Sequence, residues 1–320
     1  MIGLKDIAKL ANVSVSTVSN VLNGRKNVGQ ATRERVLQIC SEYGYTHASG
    51  KTGKTDKAKT VIFNFSDFDR DFYMKIIHGM SDCLTENGYD LIICTNKSSG
   101  NFMNSHFASG CISLDGNITD PYIVSVAKPE FPIVLMDRLI DNETANTKSV
   151  LVDNYPAMCE LVQALVDKGF KRYGYIGGLE TLDNKERFSG LTDTLLNNGI
   201  AFDRKQYFHG NYREKSGYQA AKIMILSNDL PDVLVCANDN MAIGAIKALE
   251  EHNIRVPDDI SVTGFDDSDA AAMAGLTTIS IPRYESGYLA AKELLEMIHG
   301  TAKKEPFKLS AAIKWRRTVK

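Results

Sequence analysis

Two pairs of adjacent carboxylates, Asp258 with Asp259 and Asp266 with Asp267, and a glycine cluster at Gly174, Gly177 and Gly178 are the first candidates for chemistry in this 320-residue chain. Neither pattern makes an enzyme. Adjacent residues do not generally face one another, so the paired carboxylates have no built-in acid–base geometry. The glycine spacing is too loose for a dinucleotide fingerprint. No Gly-x-Ser-x-Gly, phosphate-loop or metal-ligand histidine pattern occurs in the sequence. Six cysteines (Cys40, Cys83, Cys94, Cys111, Cys159 and Cys236) are scattered without a Cys-x-x-Cys, and read as reduced, mostly buried thiols. No catalytic residue, metal site or cofactor is therefore expected, and the chemistry left is that of binding.

Charge says what one partner is. The formal net charge is −2, which alone does not suggest nucleic acid. Its distribution does. Residues 1–60 hold ten lysines and arginines against four acids, a net +6, which leaves −8 for the remainder. A basic head on an acidic body is the asymmetry of a module that meets DNA phosphates. Hydrophobic residues make up 43% and charged residues 24%, a balance that suits a small head and a large α/β body. Lys5 and Asp6 interrupt the N-terminus at once, and no apolar run approaches the ~20 residues of a membrane span. A cytoplasmic protein with no membrane partner is expected.

The elements that must position these groups follow from periodicity. Leu4, Ile7, Ala8 and Ala11 recur at helical spacing, as do Val15, Val18, Val21 and Leu22, and then Val36, Leu37, Ile39 and Tyr43. Asn12 suits a tight connection and Ser14 an N-cap, while Asn23-Gly24 and Gly44 suit helix ends. Residues 46–59 have no period, are rich in Lys, Gly, Ser and Thr, and read as a linker. Beyond them, candidate strands at 60–65, 90–94, 110–113, 133–136, 150–152, 173–176, 233–237 and 261–264 alternate with helical patterns at 73–86, 157–168, 188–197, 217–226 and 241–252. Such alternation implies right-handed βαβ units and a largely parallel sheet. About ten strands exceed what one such sheet comfortably holds, so two lobes are expected.

Residues 4–45 resemble the headpiece of the LacI/GalR family of bacterial repressors. The resemblance rests on Asp6-Ile7-Ala8, Ala11-Asn12-Val13-Ser14, Thr17-Val18-Ser19, Leu22-Asn23, Thr32-Arg33 and Gly44-Tyr45. It implies an all-α helix-turn-helix over 1–45 whose second helix lies in the major groove. On that placement Val15, Ser16 and Asn20 face base edges. Asn20 can pair bidentately with adenine and Val15 can touch a thymine methyl. Ser14, Thr17, Asn27 and Arg33 are placed for phosphates. One headpiece reads only a few base pairs, so a homodimer on a pseudo-palindromic DNA operator is expected. In the 46–59 linker the sequence departs from the family. His47 and Ala48 stand at the family's Pro-Asn, Lys51-Thr52 at its Ala-Arg, and Lys54 at the leucine that wedges into the minor groove. Gly50 and Gly53 weaken any helix there. The lysines Lys51, Lys54, Lys57 and Lys59 can contact phosphates from a tether, or simply be solvated.

The resemblance continues through Val134-Leu135-Met136-Asp137-Arg138, Val152-Asp153-Asn154, the run from Ala237 to Gly244, and the run from Val256 to Asp267. It implies that 60–320 is an α/β two-lobed, periplasmic-binding-protein-like (type I) domain. Its first lobe would take 60–153 and 283–307, and its second 154–282 and 308–320, with three crossovers and a cleft for a small-molecule effector. The family's position puts Arg187 in that cleft. Asp266, Asn238, Asp239, Tyr212 and Phe72 are further effector-binding candidates. Asp239 is read first as a helix N-cap and Asp267 as a loop cap, and Tyr212 and Phe72 can stack on a ligand or simply pack. A sugar or sugar derivative is the family's usual effector. The alternatives are a non-sugar metabolite and a partner protein pressing on the first lobe. Without the headpiece, the body alone would also suit a transport-associated binding protein.

Overall fold

The computed structural model describes residues 3–22, 25, 27–43, 59–65, 72–95, 100–114, 118–302 and 305–320. The expected helix ends at Asn23-Gly24 and Gly44, and the linker lysines Lys51, Lys54 and Lys57, lie outside the described residues. The chain forms two units, 1–56 and 57–320.

The first unit holds α1 (Leu4–Leu10), α2 (Val15–Leu22) and α3 (Gln30–Glu42). Asp6 accepts from the Gly3 N–H at 2.9 Å, placing an acid in the first turn, where the helix dipole favours it. The chain turns at Asn12 with φ 51°, a left-handed conformation that asparagine tolerates. Ser14 then caps α2 by accepting from the Thr17 N–H at 3.0 Å. Ile7, Ala8, Ala11, Val18, Val21, Val36 and Cys40 close a small core. α3 starts six residues before its apolar pattern does, on a polar turn in which Gln30 bonds Glu34 across one helical repeat.

In the second unit, β1 (Thr60–Asn64), α4 (Phe72–Glu86), β2 (Asp90–Cys94), β3 (Gly110–Ser113), α5 (Asp120–Val126), β4 (Ile133–Leu135) and β5 (Thr147–Val152) build one lobe. The other lobe holds α6 (Asn154–Asp167), β6 (Tyr173–Gly177), α7 (Leu182–Asn197), β7 (Tyr207–His209), α8 (Glu214–Leu226), β8 (Val233–Cys236), α9 (Asp239–Glu251), β9 (Ser261–Asp266), α10 (Asp269–Ala274) and β10 (Thr277–Ser280). The chain then returns to the first lobe as α11 (Arg283–His299) and β11 (Phe307–Leu309), and closes with β12 (Ala312–Lys314) in the second. It thus passes between lobes three times. The sheets run β11-β5-β4-β3-β1-β2 and β12-β10-β9-β8-β6-β7. Among the described residues every pairing between named strands is parallel except β10 with β12. The two-lobed, largely parallel architecture expected from strand–helix alternation is the one observed.

The strands missing from the sequence reading, β7, β10, β11 and β12, have three or four residues each, too few for a two-residue period, and their Tyr-Phe-His, Thr-Thr-Ile-Ser, Phe-Lys-Leu and Ala-Ile-Lys lack the continuous apolar run that marks the equally short β4 and β8. The 17-residue α11 was also missed, because its buried face opens on Arg283 and the small residues Ser286, Gly287, Ala290 and Ala291 before Leu294. Those small residues have a reason. At Gly287 a Cβ would lie 2.0 Å from the Ile76 carbonyl, and at Gly79 a Cβ would lie 2.0 Å from the Tyr284 carbonyl, so α4 and α11 cross backbone to backbone. α8 and α9 cross the same way in the other lobe, at Gly217 and Gly244.

One charged pair is buried in the first lobe, Lys148 of β5 with Glu293 of α11, with side chains 6% and 10% exposed. Removing one partner strands the other charge, whereas replacing both with apolar groups removes the desolvation cost. Glu293→Ala alone should therefore destabilise the body by about 3–5 kcal/mol, and Lys148→Met with Glu293→Leu should be close to neutral. Urea melts of the single and double variants check this; equal losses in both would contradict it.

Candidate functional site

The second unit contains a cavity of about 340 Å³ between the two sheets. It lies just past the C-terminal ends of several strands, as ligand sites do in parallel α/β sheets. Leu114 follows β3, Met136 and Asp137 follow β4, Asn154 follows β5, Asn238 follows β8, Asp266 ends β9, and Ile281 and Arg283 follow β10. The walls differ. Phe72, Tyr73, Leu114 and Met136 from the first lobe are mainly apolar, whereas the second lobe presents Asp183, Arg187, Asn238, Asp239 and Asp266. The six effector-binding candidates Phe72, Arg187, Tyr212, Asn238, Asp239 and Asp266 all line this cavity.

Arg187 is held from several sides. It lies on α7, is 6% exposed, and rests over the Phe265 ring with its guanidinium carbon 3.7 Å from the centroid. Its Nε donates to Asn154 Oδ1 at 2.9 Å and its Nη1 to the Ala237 carbonyl at 2.5 Å. Among the described residues Nη2 meets only Asp183, at 3.6 Å. Burial alone would make the guanidinium easier to discharge, but the Asp183 and Asp266 carboxylates overcome this and hold its pKa above the ordinary value.

Asp266 is the opposite case. Among the described residues no hydrogen bond reaches its carboxylate. Burial raises its pKa to about 7; Arg187 and Arg283 pull it down while Asp239 and Asp183 push it up. Its backbone is strained as well, with φ 114° at a non-glycine residue, followed by φ 53° at Asp267. The two left-handed residues send the neighbouring carboxylates apart: Asp266 to the cavity, and Asp267 to Arg316 at 2.5 Å. Asp267 is thus tied to an arginine near the C-terminus.

The N-cap expected of Asp239 belongs to Asn238. The Asn238 side chain accepts from the Met241 N–H at 3.0 Å and donates to the Tyr212 carbonyl at 3.1 Å. Asp239 is already the first residue of α9, so its own side chain cannot take that position. It accepts instead from the Ser268 N–H at 2.7 Å and from Thr278 Oγ1 at 2.5 Å, tying the start of α9 to the start of α10 and to β10. Burial still raises its pKa to about 6.

Tyr212 has φ 66° and donates its hydroxyl to Asp183 at 2.9 Å. Its ring lies against Gly178, where a Cβ would sit 2.1 Å from a ring carbon, and Gly177 leaves similar room for Tyr207. The glycine cluster therefore admits two aromatic rings, and Tyr212 spends one face on packing. Phe72 stands at the start of α4 with the Arg283 guanidinium 5.7 Å from its centroid. Sequence reasoning missed Asn154, Glu186, Asn240 and Arg283 among the lining residues. The usable signal was position just past an apolar strand, which marks Asn154 after β5; Arg283 follows β10, a strand of Thr-Thr-Ile-Ser with no apolar run to announce it.

In the first unit, Val15 and Ser16 are exposed and Asn20 is half-buried, with Ser16 and Asn20 one turn apart on α2. Ser14 Oγ lies 2.7 Å from Ser16 Oγ and 2.8 Å from Thr17 Oγ1, so these hydroxyls form one cluster at the helix start. Asn27 is exposed in the turn before α3. Arg33 spends one Nη2 bond on the Arg25 carbonyl at 2.5 Å. In the second unit, Lys59 is exposed just before β1, and its carbonyl accepts from the Asp90 N–H at 2.8 Å.

Among the described residues no helix is long and apolar enough to cross a membrane. Residues 3–47 match the family model described as bacterial regulatory proteins, lacI family, and residues 162–319 match the periplasmic binding protein-like domain. The chain is 29% identical over 315 residues to the HTH-type transcriptional regulator RegA of Clostridium saccharobutylicum, covering 95% of this chain and 94% of that one. A cellobiose complex of the transcriptional regulator CelR superposes with a TM-score of 0.75 at 26% identity, covering 99% of this chain and 100% of that one. A sugar-binding regulator of the LacI family from Enterococcus faecalis superposes with a TM-score of 0.75 at 27% identity, covering 83% of this chain and 100% of that one.

The raised carboxyls make the ligand-free protein sensitive to pH. An aspartate whose folded pKa exceeds its unfolded value of about 3.9 holds its proton more firmly when folded. Its stabilising effect is full below that value and is lost as pH rises through about 7 for Asp266. The melting temperature of the ligand-free protein should therefore fall from about pH 4 to about pH 7 and level off above it, and Asp266→Asn should flatten that fall. An equally steep fall in the variant would contradict the assignment.

Proposed function

The chain belongs to the lacI family of bacterial regulatory proteins and is a DNA-binding transcriptional regulator, and on that premise we propose that it is a homodimeric repressor whose operator affinity is set by a sugar or sugar derivative in the cleft. The observation that carries the proposal is the cavity itself. Its volume suits a small ligand, one wall is apolar, and the other presents Asp266 and Arg187 Nη2 with acceptor and donor capacity left over. A sugar matches both walls, with hydroxyls for the polar side and C–H faces for Phe72. The cellobiose-bound and sugar-binding relatives support this class of ligand. Enzymatic turnover has no place in this reading, and the site of action is the cytoplasm.

On the DNA side, Val15, Ser16 and Asn20 read bases, while Ser14, Thr17, Asn27 and Arg33 hold phosphates. One α2 per chain covers a half-site, so two copies bind a near-palindromic operator. Exposed apolar residues such as Met273, 88% exposed, offer surface for the second copy to cover. The lysines Lys51, Lys54, Lys57 and Lys59 add phosphate contacts without a minor-groove wedge, so the operator is bent little and binding is steeply salt-dependent.

Operator titration with and without added saccharides, beginning with cellobiose, tests the proposal. A saccharide that acts should change operator affinity by about 1–3 kcal/mol, and Arg187→Ala should abolish that response while leaving ligand-free operator binding intact. Asn20→Ala should cost about 1–3 kcal/mol at one base position. If Arg187→Ala and Asp266→Ala both left saccharide affinity unchanged in calorimetry, the cleft assignment would fail. Loss of affinity spread evenly over all base positions in the Asn20 variant would count against base reading.

A further inference from the structure

Arg283, the first residue of α11, is 5% exposed and lines the cavity where the chain passes between lobes. Its Nη2 donates to the Asp267 carbonyl at 2.7 Å. Among the described residues its Nε and Nη1 have no acceptor, and no carboxylate stands at ion-pair distance. Asp267, whose carbonyl it touches, gives its carboxylate to Arg316. The other carboxylates on the cavity wall already hold protein donors: Asp137 has Arg138, Asp183 has Tyr212, Glu186 has Asn154, and Asp239 has Ser268 and Thr278. Arg283 therefore differs from Arg187, most of whose donors are spent within the second lobe.

Among the described residues Arg283 thus has no carboxylate in contact: the Phe72 ring lies 5.7 Å from its guanidinium, and its charge reaches Asp266 and Asp269 only at longer range, which leaves a buried guanidinium short of a partner. A hydroxyl would supply a hydrogen bond but not the missing charge. A carboxylate supplies both, with two oxygens that match the guanidinium fork. Asp266, the unspent acceptor of the same cavity, calls for hydroxyl donors. We propose that the effector is a hydroxylated acid, a sugar acid in chemical class, whose carboxylate is held by Arg283 and whose hydroxyls are held by Asp266. This rests on the reading of the cleft as a saccharide site and narrows it. Because α11 packs on the first lobe and Asp266 ends a second-lobe strand, such a ligand would bridge the two lobes.

Calorimetry with matched pairs tests it: D-galactose against D-galacturonate, D-glucose against D-glucuronate, and D-glucose against D-gluconate. In at least one pair the acid should bind ten-fold or more tightly than its neutral partner. Arg283→Met should erase that advantage while changing the neutral partner's affinity less than three-fold, which loss of a merely structural contact would not do. Arg283→Gln, which keeps the length and polarity, should give the same answer if the Met variant fails to fold. Tighter binding of the neutral sugar in every pair would overturn the acid assignment and leave the saccharide reading of the cleft standing. Binding of no acid at millimolar concentration, or an acid preference that survives in the Arg283 variants, would also overturn it.

Discussion

The guanidinium of Arg187, buried between the ends of two parallel sheets, is the interaction around which the cleft is organised. A charge in that position needs donors and acceptors fixed on every side. The chain supplies them from separate elements: Asn154 after β5, the Ala237 carbonyl after β8, Asp183 at the start of α7, and the Phe265 ring beneath. Each of these lies at or near a strand end or helix start, so the positions of the sheets and of Arg187 determine one another. What the protein leaves unsatisfied is therefore informative. Asp266 receives no protein donor among the described residues, although it sits in the same electrostatic neighbourhood.

The surrounding fold is rigid where the cleft needs reference points. Helices that cross backbone to backbone at glycines, α4 on α11 and α8 on α9, allow little sliding. Asp239 joins the start of α9 to the Ser268 amide and to the Thr278 hydroxyl of β10, fixing three elements of the second lobe to one carboxylate. Between the lobes run three single chain passages, and Arg283 of one of them reaches the carbonyl of Asp267. Lys75 of α4 and Asp269 of α10 form an exposed ion pair across the lobes at 2.7 Å. Exposed pairs contribute little. A ligand spanning both walls would add free energy on the scale that separates two conformations.

Much of this was legible in the sequence, and the failures have physical causes. The headpiece showed through its helical periods because three short helices must each bury one stripe on a small core, here Ile7, Val18 and Val36. The central strands showed through their apolar runs. The short edge strands β7, β11 and β12 did not, since three residues with a polar one among them carry neither a run nor a period. Helix α11 was hidden because close crossing selects glycine and alanine over leucine. At the site, Arg187 was reached through resemblance and Asp266 through its place at the end of an apolar strand. Arg283 was not, although it stands three residues past β10. The role given to Asp239 went to Asn238 because one residue decides which side chain precedes a helix and which begins it. Spacing in sequence does not resolve that difference.

The central claim is that Asp266 is a buried carboxyl left for a ligand to satisfy. Following its side-chain carbon by NMR through a pH titration of the ligand-free protein, with Asp266→Asn to assign the signal, tests this most directly. A transition near pH 7 is expected, because burial in the cleft pushes the Asp266 carboxyl up to about 7. A transition near pH 4, the ordinary aspartate range of about 3.9, would show a solvated or internally paired carboxylate and contradict it.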